Sequence, residues 1–190
     1  MEFKSIVVTG FVPFLDNASN PSQAAASAAA REFGDTATCL TLPVTWRAAA
    51  DPGVLHRQTP ALTVHFGLAA GSRCVRVESR AQNWSGDMPD NDLVYAPGMM
   101  DPEAGVQRMV AFDPAGLAAA LQAVWPGPVE TSLDCGDYIC NATLWHSLGR
   151  GDATAMFIHI PQMPDTEAQA LGVAVARAIG LFAARGGFGV

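Results

Sequence analysis

Short apolar runs alternate along this chain with segments of helical period. Ser5-Ile6-Val7-Val8-Thr9-Gly10 is a β-branched run closed by glycine, the pattern of a strand buried on both faces. After a polar loop from Leu15 to Asn20, Pro21-Ser22 opens an alanine-rich helix reaching about Glu32. Asn20 is its N-cap, and Pro21 takes the first helical position. Residues 36–42 predict a second strand, and Thr45 to about Arg57 a helix interrupted at Asp51-Pro52-Gly53. Leu62 to Gly67 predicts a third strand and Cys74 to Glu78 a fourth. Asp113-Pro114 starts a helix through Leu117, Leu121 and Val124 that Pro126-Gly127-Pro128 ends. A strand over 129–133 leads into a helix carrying Ala142, Leu144, Trp145 and Leu148. Thr154 to Ile160 is a strand. Thr166 to Ala184 is an amphipathic helix with Leu171, Val175, Ile179 and Phe182 on one face. Residues 79–111 have no period and carry turn signals at Pro89-Asp90-Asn91, Pro97-Gly98 and Asp101-Pro102. Such a stretch is functional or folds into hairpins. The alternation of strands and helices predicts an α/β fold with a largely parallel sheet between helices.

Composition narrows this further. A chain of 190 residues suits one domain with one sizeable core. The net charge of −7, with eleven scattered Lys and Arg, argues against nucleic-acid and anionic-membrane partners. Met1-Glu2-Phe3-Lys4 leads straight into a strand without a signal pattern, and no apolar run is expected to span a membrane, so the reading is a cytoplasmic protein. The four cysteines, Cys39, Cys74, Cys135 and Cys140, form no CxxC pair, so no zinc-ribbon or thioredoxin-like site is expected, and no metal or other cofactor is called for. Reduced thiols are the expectation, with a Cys135–Cys140 disulfide left open. Cys39 and Cys74 fall within strand patterns and read as core.

In sheets of this kind, chemistry gathers at the carboxyl ends of strands. Thr131 to Asn141 reads as a strand end, a tight turn at Gly136 and the first turn of a helix. That places Cys140 among unpaired N–H groups at the positive end of the helix dipole, where a thiolate is favoured. His159, closing the run Phe157-Ile158-His159-Ile160-Pro161, is the strongest base among four histidines. His65 is mid-strand, His56 lies in a loosely defined helix, and His146 points away from Cys140. Glu78 ends the fourth strand and either pairs with Arg76 or Arg80 or orients a base. Taken singly, each residue has a structural reading: a buried thiol, a satisfied core imidazole, an ion pair. Together they supply a nucleophile, a base and an orienting acid.

Their order along the chain resembles that of the pyroglutamyl peptidase I family of cysteine peptidases. Thr9-Gly10-Phe11-Val12-Pro13-Phe14 with Asn20-Pro21-Ser22 is similar to its TGFxPF…NPS opening, and Leu42-Pro43-Val44 to its LPV segment. Gly67 to Arg73 with Val77 to Asn83 resembles its GxxGGR…ERxAxN block, Pro89-Asp90-Asn91 its PDN, Ser132 to Asn141 its S-x-x-A-G-x-x-x-C-N box, and Phe157 to Pro161 its F-[IV]-H-[IV]-P box. The resemblance implies a three-layer α/β/α sandwich with a mostly parallel, mixed sheet, and often a tetramer. It implies removal of an N-terminal pyroglutamyl residue from small peptides with a blocked N-terminus. It also implies Cys140 as nucleophile, His159 as base, Glu78 as orienting acid, and Phe11, Phe14, Asn20 and Leu68 as substrate-binding positions. The chain departs from the pattern at Cys135, where the family usually has alanine, at Asp137, where a basic residue is common, at Asp87, and at Leu68, where many members have glutamine. The same residues also suit a thiol amidase or esterase for another small acyl or lactam substrate, or a catalytically silent binding module.

Overall fold

The computed structural model describes residues 3–14, 19–51, 60–150 and 154–188. In chain order its elements are β1 (Ile6–Phe11), α1 (Pro21–Phe33), β2 (Ala37–Leu42), α2 (Trp46–Ala50), β3 (Leu62–Leu68), β4 (Val75–Glu78), β5 (Arg80–Gln82), β6 (Gln107–Met109), α3 (Pro114–Gln122), β7 (Val129–Ser132), α4 (Ile139–Gly149), β8 (Ala155–Ile160) and α5 (Asp165–Ala184). Six strands form one sheet in the order β2-β1-β3-β8-β4-β7. The first four run parallel, β4 pairs antiparallel with β8, and β7 is parallel to β4. The sheet is therefore mostly parallel and mixed, as expected. The aperiodic stretch folds in part as a hairpin, with β5 and β6 antiparallel and a bridge between Ser85 and Gly98.

The period-two alternation of the strands sorts side chains into two cores. Val64, Val77, Met156, Ile158 and Ile160 pack with Ala25, Ala26 and Ala29 of α1, Leu117 and Leu121 of α3, and Leu171, Val175 and Ile179 of α5. Phe11, Ala81 and Phe157 face Ala142, Leu144 and Trp145 of α4 and Ala49 of α2. The layers are thus α1, α3 and α5 on one face and α2 and α4 on the other. Asn20 caps α1 by accepting the Ser22 amide at 3.2 Å. The helix predicted from Thr45 is short, and its continuation over residues 52–57, with His56, lies outside the described residues.

Two expectations need correction. Cys39 is exposed and Cys74 half-buried, because β2 is an edge strand with one buried side chain, Leu42, and Cys74 precedes β4. Neither is core. And α5 is long and apolar enough by composition to cross a membrane, which the sequence reading did not anticipate. Its apolar stripe is buried in the core against α1 and α3, and its opposite face carries Arg177, paired with Glu32 at 2.9 Å. That is the pattern of a core helix.

His65 is the satisfied core histidine of the set. It is fully buried on β3, with Nδ1 at 2.7 Å from Thr9 Oγ1 and Nε2 at 2.9 Å from Ser147 Oγ. Burial depresses its pKa to about 3, so the folded ring stays neutral where the unfolded ring takes a proton. Its contribution to stability is complete above the unfolded value of roughly 6.5 and is lost as pH falls toward 3. Urea unfolding of wild type and His65→Gln at pH 6.5 and 5 is expected to show the wild type losing about 1 kcal/mol more per pH unit than the variant. Equal slopes would mean that the ring is already charged when folded.

Candidate active site

The catalytic ingredients read from sequence meet on the α2/α4 face of the sheet. Along β8, Phe157 and His159 share that face, while Ile158 and Ile160 face the other core. The antiparallel register sets Arg76 opposite His159, so Glu78, two residues on, reaches the ring from the same face. His159 Nδ1 lies 2.8 Å from Glu78 Oε1, and both residues are buried. Arg76 pairs instead with Glu130 at 3.0 Å, and Arg80 Nε donates to the Leu133 carbonyl at 2.7 Å. The ion-pair reading of Glu78 therefore fails. The reversal of β4 also means that this acid enters at mid-sheet, over the face, rather than beyond a common carboxyl edge.

Cys140 stands in the first turn of α4. Gly136, at φ +81°, makes the turn that lets the chain enter this helix from β7. No side-chain hydrogen bond caps the helix at Tyr138. The Tyr138 hydroxyl donates to the Pro89 carbonyl at 2.8 Å, and the first intrahelical bond is from the Ala142 amide to the Tyr138 carbonyl. The amides of Ile139, Cys140 and Asn141 thus stand ahead of it at the positive end of the helix.

Burial alone would lower the pKa of His159. The negative charge and hydrogen bond of Cys140, and then the hydrogen bond and charge of Glu78, outweigh it and raise the value to about 9. The ring is therefore an imidazolium at neutral pH, held between an acid and a sulfur. Cys135 is buried beside them, and its thiol is pushed well above the ordinary range, first by burial and then by Glu78, Cys140 and Asp134.

A shallow, narrow cleft opens onto Cys140. Phe11, Phe14, Asn20 and Leu68, the four positions implied by resemblance, all line it. Asn20 lines it with its polar atoms engaged: Nδ2 donates to the Val12 carbonyl at 3.0 Å, and Oδ1 accepts from Ser22. It braces the wall, and Ser22 Oγ, which it holds, accepts the Phe11 amide at 3.0 Å. Val44, Tyr138 and Ile139 complete the lining and were not singled out from sequence, although Val44 sits in the LPV segment and Tyr138 directly precedes the helix. Among the described residues, the lining apart from Cys140 is uncharged.

The motif residues without chemistry turn out to be braces. Buried Asp90 accepts amides from Asp92 and Val94 at 2.9 Å each and from Trp46 at 2.9 Å, and Asn91 Nδ2 donates to the Pro13 carbonyl at 3.0 Å. Asn141 fixes the segment after β5 through the Gln82 amide at 2.8 Å and the Gln82 and Trp84 carbonyls at 2.9 Å each. Asp87 and Asp137 are exposed. Asp137 packs on Gly86, whose amide donates to the Asp137 carbonyl at 2.6 Å.

Gly67 forms the floor. It pairs with His159 across β3 and β8, and a Cβ built there would stand 2.9 Å from Cys140 Sγ and 2.6 Å from the Phe157 ring. Gly67→Ala is expected to push the sulfur aside and lower kcat/KM about a hundredfold, with a stability cost of about 1–3 kcal/mol from overpacking. Reporter kinetics and urea titration check both. Unchanged kinetics would show that the sulfur does not need this space.

The comparisons with known proteins agree with this geometry. The sequence pattern of the pyroglutamyl peptidase family matches residues 4–178. The pyrrolidone-carboxylate peptidase of Gloeobacter violaceus is 33% identical over 172 residues, covering 84% of this chain and 82% of that one. That of Deinococcus radiodurans is 33% identical over 171 residues, covering 83% and 78%. Among solved structures, pyrrolidone carboxyl peptidase from Thermus thermophilus superposes with a TM-score of 0.79 at 28% identity, covering 90% of this chain and 97% of that one. The enzyme from Thermococcus litoralis gives a TM-score of 0.80 with 96% of each chain covered; at 24% identity it speaks to the fold alone.

Proposed function

The chain belongs to the pyroglutamyl peptidase family, and from that premise we propose that it is a cysteine exopeptidase that removes an N-terminal pyroglutamyl residue from peptides, with Cys140 as nucleophile, His159 as acid and base, and Glu78 as the group that orients His159. The observation that carries this reading is the buried pair of Glu78 with His159, 2.8 Å apart, whose ring pKa is raised by Cys140 as well, beside the cleft that Cys140 lines.

In this mechanism the imidazolium against the sulfur favours the thiolate. The thiolate attacks the pyroglutamyl carbonyl carbon, and the charge that develops on oxygen falls to amides of the first turn of α4. His159 gives its proton to the departing amine as the carbon–nitrogen bond breaks, leaving a thioester. Water then attacks the thioester while His159 takes its proton, and the acid and thiolate are released. Glu78 holds the tautomer throughout.

The cleft accounts for substrate class. A pyroglutamyl ring is a neutral lactam, and aromatic and aliphatic walls accept it without a counter-charge. A free N-terminal proline has the same ring size but carries an ammonium, whose burial among Phe11, Phe14, Val44 and Leu68 lacks a partner. The four free thiols, one of them exposed, suit a reducing compartment such as the cytoplasm.

The test compares pyroglutamyl-, prolyl- and acetyl-amide reporters, with and without iodoacetamide. Expected is turnover of the pyroglutamyl reporter alone, abolished by one equivalent of alkylation and protected by 2-pyrrolidone. Thiol-dependent turnover of another acyl amide, and none of the pyroglutamyl reporter, would replace this reading with a different amidase.

A further inference from the structure

We propose that Cys135, His159 and Glu78 form an inhibitory site for a thiophilic divalent cation such as Zn2+, which takes the catalytic ring out of action; the inhibition, though not the binding, rests on the function just assigned. A sulfur, a ring nitrogen and a carboxylate oxygen of these three buried residues lie within 4.8 Å of one another. Glu78 adds an independent observation. Its Oε1 is engaged by His159, but its Oε2 is enclosed without a hydrogen-bond partner, although the residue is 0% exposed. A buried carboxylate oxygen left in that condition is costly, and a cation would relieve it.

The dimensions fit. A tetrahedral zinc ion with bonds of about 2.0–2.3 Å spaces its ligands roughly 3.3–3.8 Å apart, so the donors must draw together by at most about 1.5 Å. Thiolate with imidazole and carboxylate suits zinc and other borderline-soft ions and is a poor match for magnesium or calcium. Cys140, which acts on both Cys135 and His159 and lines the cleft, stands next to the cluster and can supply a fourth bond from the cleft side. Binding displaces the thiol protons and the ring proton at the nitrogen that ligates, and the ion's charge offsets the cost of a buried thiolate. With a ring nitrogen committed to the ion, His159 can no longer pass a proton between Cys140 and the leaving amine. The decisive residue is Cys135, which stands where the family pattern usually has alanine. An alanine chain would keep the catalytic set and lose the sulfur that anchors the ion.

The experiment titrates chelator-buffered Zn2+ against wild type and Cys135→Ala while following the pyroglutamyl reporter. Expected is inhibition of wild type that a chelator reverses, about a hundredfold or more weaker in Cys135→Ala, with zinc-free kcat/KM alike in the two proteins. Equal zinc sensitivity would overturn the proposal, since Cys140 and His159 alone would then account for inhibition. A second measurement needs no turnover. Co2+ added to Cys140→Ala is expected to give thiolate-to-cobalt charge transfer and the d–d pattern of a tetrahedral ion, and both should vanish in Cys135→Ala/Cys140→Ala. Absence of the charge-transfer band from Cys140→Ala would overturn the site even if the enzyme proves to be a peptidase. Its presence in an enzyme without pyroglutamyl activity would leave the site standing and fault only the function.

Discussion

Cys140→Ala is expected to keep its fold and to turn over a pyroglutamyl-amide reporter about 10⁵-fold more slowly than wild type. Among the described residues lining the cleft, the Cys140 sulfur is the group able to form the thioester, and none of the others is a nucleophile of comparable strength. What remains in the variant is binding of the ring by Phe11, Phe14 and Leu68, the amides at the start of α4, and His159. Those together account for the residual rate above water in such enzymes. The stability change should stay within about 1 kcal/mol, because the side chain is half-buried and alanine is a good helix former in the first turn of α4. A second readout separates loss of the nucleophile from misfolding. Cys140 is the larger of the two influences that raise His159, so the ring's pKa should fall well below about 9 in the variant, as read by proton NMR of the imidazole. Turnover that survives in Cys140→Ala, or a His159 that titrates as before, would remove Cys140 from the role assigned to it.

Much of this site was legible because its members sit where local pattern is strong. The run Phe157 to Pro161 and the run Val75 to Glu78 are short apolar strands with one ionisable residue each, and the Gly136 turn announces the helix that carries Cys140. Alternation put His159 on one face or the other, but it could not say which face, because β8 is buried on both sides. The antiparallel pairing of β4 with β8 was equally out of reach. Both are short, β-branched and buried, and direction is set by the short connection of residues 69–74, which turns the chain back from β3 into β4, rather than by the strands themselves. That direction decides the chemistry, since it sets Glu78 against His159 and leaves Arg76 to Glu130. The braces were invisible for another reason. Asp90, Asn83 and Asn141 act through hydrogen bonds to distant backbone, such as Asn83 Nδ2 to the Gly105 carbonyl at 3.1 Å, and no spacing rule records those partners. The burial of Cys135 was out of reach because it depends on the fold of the loop before α4. Asp87 and Asp137, two of the departures from the family pattern, face solvent, and neither is among the groups that act on His159.

Glu78→Gln is expected to lower kcat about 10³–10⁴-fold with KM little changed. The amide is nearly isosteric, so the loss comes from charge and from donor–acceptor sense. Glu78 Oε1 lies 2.8 Å from Nδ1, where it accepts the Nδ1 proton and leaves the other nitrogen for proton transfer. Glutamine can present its NH2 to the same nitrogen, which then must accept, and the ring goes to the wrong tautomer. The pH dependence gives the sharper test. In wild type, kcat/KM should fall above about pH 9 as the ring loses the proton destined for the leaving amine. Without the Glu78 charge and acceptor, burial and Cys140 alone set the ring's pKa, so this limb moves to lower pH. Stability moves with it. A folded pKa of about 9 against an unfolded value near 6.5 means that the native state holds the proton more tightly. That contribution, on the order of 3 kcal/mol, is fully present below pH 6.5 and is lost as pH rises through 9. Glu78→Gln should therefore unfold with less pH dependence between 6.5 and 9 than wild type. An alkaline limb that stays in place, with stability that still declines across this range, would mean that Cys140 alone holds the imidazolium and that Glu78 only fills the space behind it.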